Sequence, residues 1–149
     1  MYMRILAVDP GEKRIGLALS DPTGTIANPL AVLNHVSRIV DAAQIATLAS
    51  EHEARLILVG TTTDEDGQLT SRGRSASRLA TAIRTQTSLP VELWDESGST
   101  QAARQASIAL GVSAHKRRHQ GHGHLDDLAA TYILQTYLDS HPSHSGDAL

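Results

Sequence analysis

The 149-residue chain contains no cysteine, which excludes disulfides and thiolate metal sites. It contains no phenylalanine, one tryptophan and three tyrosines, so its core must be aliphatic and rich in alanine. No apolar stretch approaches the roughly 20 residues of a membrane span. The N-terminus does not read as a signal peptide, because its apolar run is short and leads straight into Asp9. These absences give the expectation of a cytoplasmic protein with no membrane partner. Excess charge is also scarce. A net charge of −3 argues weakly against an indiscriminate nucleic-acid binder, although distribution matters more than the sum. The length is that of one domain, and 40% hydrophobic residues suffice for a buried core.

What is present begins with Asp9. It ends the apolar run Arg4-Ile5-Leu6-Ala7-Val8, and Pro10-Gly11-Glu12-Lys13-Arg14 turns into a second run, Ile15 to Ser20. Pro10 fixes φ and Gly11 permits a turn. A strand that delivers a carboxylate into a tight turn presents a charge at the lip of a sheet. The same pattern also suits a simple turn-forming Asp. Two further acidic segments bear on the choice. Val91 to Trp94 reads as a short strand ending in Asp95-Glu96, and Leu125-Asp126-Asp127-Leu128 opens a stretch of helical period. Carboxylates converging from distant segments suit a divalent cation, because hard cations take oxygen ligands.

The segment Arg4 to Asp21 closely resembles the N-terminal signature of the YqgF/RuvX-type proteins. The resemblance continues at Leu56-Ile57-Leu58-Val59-Gly60, Asp66-Gly67, Asp95-Glu96 and Leu125 to Ala130, and covers roughly residues 3–139. It implies a ribonuclease H-like fold, related to Holliday-junction resolvases, and a nuclease linked to processing of small-subunit ribosomal RNA precursors. It implies Asp9, Glu96 and Asp126 as catalytic residues that hold Mg²⁺ or Mn²⁺ for phosphodiester hydrolysis. Two departures stand out. Thr61-Thr62-Thr63 replaces a segment that usually carries Pro, and Ser97-Gly98-Ser99 stands where Arg-Leu-Thr usually follows the glutamate. The missing Arg bears on substrate contacts near Glu96.

Asp126 and Asp127 compete for one role. Neighbouring helix positions differ by about 100°, so both cannot face one site equally. The family match favours Asp126, leaving Asp127 to stabilise the helix N-terminus. Asp21 reads as a structural turn residue. Substrate contacts are expected from Lys13 and Arg14 in the first turn, from Arg72 and Arg74 after the polar loop, and from Lys116, Arg117 and Arg118. Each of these also fits a solvated surface. The segments from Gly67 to Val91 and from Gly111 to Leu125 contain no acid, and both flank acidic motifs. His122, four residues before Asp126, would share its helical face only if the helix began early, which Gly121 and Gly123 oppose.

Along the chain, residues 4–8 and 15–20 form a hairpin and residues 29–33 a third strand. Ser37 caps a helix through about Glu53, with Val40, Ala43, Leu48 and Ala49 as its apolar positions. Leu56 to Val59 has the pattern of a strand covered on both faces. A helix over 72–87, a strand over 91–94, a helix from Ser99 or Thr100 to Gly111, a loop over 111–123 and a helix over 125–139 follow. This is an α/β order, and a mixed five-stranded sheet flanked by helices fits it. Residues 1–140 make the nuclease domain and 141–149 a flexible tail.

The expected partner is nucleic acid. Structured RNA of ribosomal precursor particles leads, branched DNA is the alternative, and the chain is a monomer or weak homodimer. A Holliday-junction resolvase is the second enzymatic reading, and it requires a dimer with two sites. A sugar-kinase or actin-type ATPase also begins with Asp-x-Gly on a hairpin but needs a much longer chain. A non-catalytic RNA-binding assembly factor is the reading from another class.

Replacing Lys116, Arg117 and Arg118 together with Ala should weaken nucleic-acid binding. Each neutralised phosphate adds roughly 0.7 to 0.9 to the slope of log K against log salt, so the slope should fall by about two to three units. Affinity measured across a salt series checks this. An unchanged slope would leave the tract a solvated loop.

Overall fold

The structure, a computed structural model, describes residues 3–95 and 125–141, with side chains from residue 128 onward in the second segment. In chain order the elements are β1 (Ile5–Pro10), β2 (Arg14–Ser20), β3 (Ala27–Asn34), α1 (Arg38–Glu51), β4 (Leu56–Thr61), α2 (Ser71–Arg84), β5 (Val91–Asp95) and α3 (Leu125–Ser140). Every residue of β1 and of β4 is buried. Such strands need cover on both faces. Among the described residues the sheet has the order β3-β2-β1-β4-β5, with β1 at its centre. β1 is antiparallel to β2 and parallel to β4, and β4 is parallel to β5. The C-terminal ends of β1, β4 and β5 therefore lie at one end of the sheet.

Side chains alternate across the sheet with period two. Leu6 and Val8 join Ile15, Leu17, Ile57 and Val59 in a core completed by Ala42 and Ile45 of α1 and by Leu79 and Ile83 of α2. Ile5 and Ala7 join Ala18, Leu56 and Leu58 in a second core completed by Ile133, Leu134 and Tyr137 of α3. Both cores are mainly aliphatic, as the composition requires. The aromatic exceptions are Tyr137 in the second core and Trp94, which packs edge-on to Tyr137 at 5.2 Å and donates its indole N–H to the Thr136 hydroxyl. Burial pushes the Tyr137 phenol above its ordinary pKa, and the Glu92 charge adds to that.

Every expected element that falls within the described residues is found, with shifted ends. β3 extends to both sides of residues 29–33. It is an edge strand, so Pro29 is tolerated there, opposite Ala18 where the register shifts. α2 starts one residue early, because the Thr70 hydroxyl caps it by accepting from Gly73 N–H. It stops at Arg84, where the N–H groups of Thr85 and Gln86 bond back to Ala82 and Ile83. The buried face of α1 keeps the expected Ala49, with Leu48 packed beside it, and differs from the expected one in its first turns. Asp41, Ala42, Ile45 and Ala49 face inward, while Val40 is 39% exposed. The cause is Asp41: its buried carboxylate accepts from Val36 N–H at 3.0 Å and pairs with His35 Nδ1 at 2.5 Å, which sets the helix rotation. The expected helix ending at Gly111, the loop over 111–123 and all but the first residue of the tail lie outside the described residues.

Asp21 closes the β2–β3 turn. Its carboxylate accepts from the Thr23 hydroxyl and from the N–H groups of Thr25 and Ile26. Desolvation would raise its pKa, but these hydrogen bonds outweigh it and hold the carboxyl below its ordinary value.

Gly73 lies where α2 meets the loop after β4. A Cβ there would fall inside the van der Waals shell of the Thr62 carbonyl oxygen, a backbone atom that cannot swing aside. Gly73→Ala should therefore cost about 1–3 kcal/mol, the range for overpacking. Denaturant unfolding checks this, with a lower midpoint expected at an unchanged slope.

Candidate functional site

Asp9 is the first charged residue that β1 can carry. Inside the strand a charge would be sealed between two apolar cores, whereas at its end a carboxylate can meet a partner. Asp9 is still only 7% exposed. By alternation it belongs with Ile5 and Ala7 on the face that α3 covers. Its antiparallel partner is Gly16, and Val8 pairs with Val59, so the next register step in β4 brings Gly60 beside it. Neither strand neighbour puts a side chain over the carboxylate. These two glycines carry a signal that motif reading passed over: counted by strand register from Asp9, both fall alongside it.

Arg72, in the first turn of α2, pairs with Asp9. Its Nη2 donates to Asp9 Oδ1 at 3.2 Å, and its Nε donates to the Pro10 carbonyl at 3.4 Å. The Arg72 side chain is 55% exposed and that of Asp9 only 9%. The pair thus has one foot in solvent.

The loop between β4 and α2 holds Arg72 in reach. The Thr61 hydroxyl donates to the Gly73 carbonyl at 3.3 Å. The Thr62 and Thr70 hydroxyls share a hydrogen bond of 2.6 Å. The Thr63 hydroxyl donates to Asp95 Oδ2 at 2.9 Å, tying the loop to the end of β5. The three threonines, to which sequence reasoning assigned no individual role, each anchor a different strut of the rim. Asp64, not Asp66, organises the turn itself, accepting from the N–H groups of Asp66 and Gln68.

The other expected site residues are placed as follows. Lys13 is exposed in the turn after β1, where its carbonyl accepts from His35 N–H, and Arg14 is exposed at the first position of β2. Arg74 is exposed, and its Nη1 donates to the Leu69 carbonyl at 2.8 Å. Glu96 follows directly on the last residue of β5 and lies outside the described residues, as do Lys116, Arg117, Arg118 and His122. Asp126 and Asp127 fall in the first turn of α3, and their side chains lie outside the description. Among the described residues no group of three or more His, Asp or Glu is set to hold a metal ion.

Behind the turn, on the opposite face of the sheet, lies a cavity of about 410 Å³ between Gly11, His35, Arg38 and Leu79. The His35–Asp41 pair lines it. The motif reading singled out neither residue, since they are joined only by the α1 cap.

A mixed sheet in this order, with β1 at its centre and helices packed on both faces, is the ribonuclease H-like α/β fold. Solved structures share it. The Thermus thermophilus RuvC bound to a Holliday junction substrate superposes with a TM-score of 0.55 at 12% identity, over 93% of this chain and 96% of that one. The fowlpox virus Holliday junction resolvase gives 0.60 at 16% identity, over 93% and 99%. At sequence level the RuvX family model, described as Holliday junction resolvase, matches residues 3–140. Relatives provisionally named pre-16S rRNA nuclease include one from Desulforamulus reducens, 38% identical over 93% of this chain and 98% of its own. Another, from Clostridium beijerinckii, is 35% identical over 92% and 96%. The chain belongs to the RuvX family. Its class is that of a nuclease, a hydrolase of phosphodiester bonds. No helix among the described residues is long and apolar enough to cross a membrane.

Disconnecting the rim should loosen the site without unfolding the core. Thr63→Val removes the strut to Asp95 and, with it, one partly solvated hydrogen bond worth about 1 kcal/mol. Hydrogen exchange of the Asp64 and Gln68 amides should speed up, while that of β1 and β4 amides stays unchanged.

Proposed function

We propose that the chain is a divalent-metal-dependent nuclease of structured nucleic acid, with precursor 16S ribosomal RNA as its substrate and the 5′ end as the place of processing. The observation that carries this is Asp9: a nearly buried carboxylate at the end of the central strand, with glycine to either side and a cation already against it. Such a place suits a hard positive ion. The donor is an anionic oxygen, no strand neighbour covers it, and it already accepts positive charge. Asp9, Glu96 and Asp126 are the residues that would hold Mg²⁺ or Mn²⁺. Bound there, the ions supply Lewis-acid stabilisation of developing charge and a water of lowered pKa.

The chain's own contribution is position. Lys13, Arg14, Arg72 and Arg74 are expected to track phosphates at the turn and the rim, with Lys116, Arg117 and Arg118 as a further clamp. The relatives' names support the RNA substrate, and they fit work in the cytoplasm on ribosomal precursor particles by a monomer or weak homodimer. Branched DNA is the second reading, favoured by the family description and by the RuvC-type fold. Cleavage of a matched precursor RNA and a four-way DNA junction, with Mg²⁺, Mn²⁺ or EDTA, separates the two. Absence of cleavage on either substrate would leave an RNA-binding assembly factor.

Asp9→Asn, Glu96→Gln and Asp126→Asn should each lower cleavage by more than about 100-fold, beyond what loss of an outer-shell partner costs a metal site. Each removes an anionic oxygen from a group that acts as a unit, so the triple variant should be little worse than any single one. Asp127→Asn should keep most activity. A dead Asp127→Asn beside an active Asp126→Asn would shift the register of α3 by one residue. Full activity in Asp9→Asn would end the assignment.

A further inference from the structure

We infer that Arg72 is the resting counter-cation of Asp9, and that it gives up this carboxylate to a divalent cation and turns to substrate phosphate, so that metal and nucleic acid bind with positive coupling. The inference rests on reading Asp9 as a metal ligand.

A carboxylate as buried as Asp9 needs positive charge nearby. Arg72 supplies it through one donor at 3.2 Å while a second holds the Pro10 carbonyl at 3.4 Å. The helix itself gives no reason for an arginine here. The N-terminus of α2 carries the positive end of the helix dipole, and its first turn contains no acidic residue to offset a cation. Arg72 therefore stands where its own helix disfavours it and is stabilised by Asp9.

The backbone under Arg72 is fixed. Thr70 caps the helix, Thr61 holds the Gly73 carbonyl, and Gly73 packs against the Thr62 backbone. A change of partner is consequently a side-chain rotation about a rigid base, made feasible because the side chain is 55% exposed. A divalent cation on Asp9 repels the guanidinium with twice the charge that Arg72 offers the carboxylate. Once displaced, Arg72 presents a planar fork of donors at the same lip of the sheet, and that fork matches a phosphate. If metal frees Arg72 for phosphate, then bound phosphate must raise metal affinity by the same factor.

Calorimetric titration of Mn²⁺ alone into the full chain, without nucleic acid, tests the competition directly. Arg72→Gln should bind Mn²⁺ about fivefold more tightly than wild type, the upper end for a partly exposed ion pair. In nuclear magnetic resonance, Mg²⁺ should move the Arg72 Nε–Hε signal, identified by its loss in Arg72→Gln. Affinity for a phosphorothioate-protected hairpin RNA should rise on adding Mn²⁺ by a larger factor in wild type than in Arg72→Gln. An equal or weaker Mn²⁺ affinity in Arg72→Gln, at an unchanged unfolding temperature, would show that Arg72 steadies Asp9 and overturn the inference. Equal Mn²⁺ binding by wild type and Asp9→Asn would instead remove the metal reading beneath it. Binding lost in Asp9→Asn but not tightened in Arg72→Gln would sink the exchange alone.

Discussion

The burial of β1 on both faces is the constraint on which the rest depends. All six of its residues are removed from water, and Leu6 and Val8 face one core while Ile5 and Ala7 face the other. Such a strand cannot carry a charge along its length. It can carry one at its end, and there Asp9 is still 7% exposed. The cost of holding a carboxylate so nearly dry is offset by a guanidinium brought from the opposite face of the sheet. α2 must then start close beside the end of β1, and the loop before it must be stiff.

That stiffness comes from hydroxyls. The segment Thr61-Thr62-Thr63 contains no proline, and each side chain finds a separate anchor. Proline restricts a loop by fixing φ in folded and unfolded chains alike. Threonine hydroxyls act only in the folded state, through bonds to a carbonyl, a cap and a carboxylate. The three threonines thus fix the rim by bonds made on folding, and Thr63 links it to Asp95 at the end of β5.

Legibility followed range of interaction. β1 and β4 could be read as doubly covered strands because an unbroken apolar run has no other stable place in an α/β order. The buried face of α2 was legible for a similar reason: Ala76, Leu79, Ala80 and Ile83 repeat at helical spacing, and no buried polar group intervenes. In α1 the same reasoning chose Val40, because hydrophobicity alone cannot foresee that Asp41 would be turned inward by His35 and the Val36 N–H. The Asp9–Arg72 bond joins residues 63 apart in sequence, and no period or motif spans that distance. The motif reading reached both residues but not the contact between them. Gly16 and Gly60 were hidden differently. Each looks like ordinary strand glycine until the register sets them on either side of Asp9.

Asp41 shows why burial of an acid does not by itself make a site. Both Asp9 and Asp41 are more than nine-tenths buried, and both face a basic side chain. Asp41 has one oxygen on a backbone N–H and the other on His35, six residues away across a helix cap. Moving the Val36 N–H would unmake the start of α1, so this acid is committed to structure. Asp9 is held by an arginine on a long, half-solvated stem whose departure leaves the backbone of α2 in place. The difference lies in what the partner must give up in order to leave. The Val36 N–H can leave Asp41 only by local unfolding, whereas Asp9 can release Arg72 by rotation. The exchange proposed at Asp9 needs a counter-charge that can leave without disturbing the backbone, and the half-solvated Arg72 meets that need.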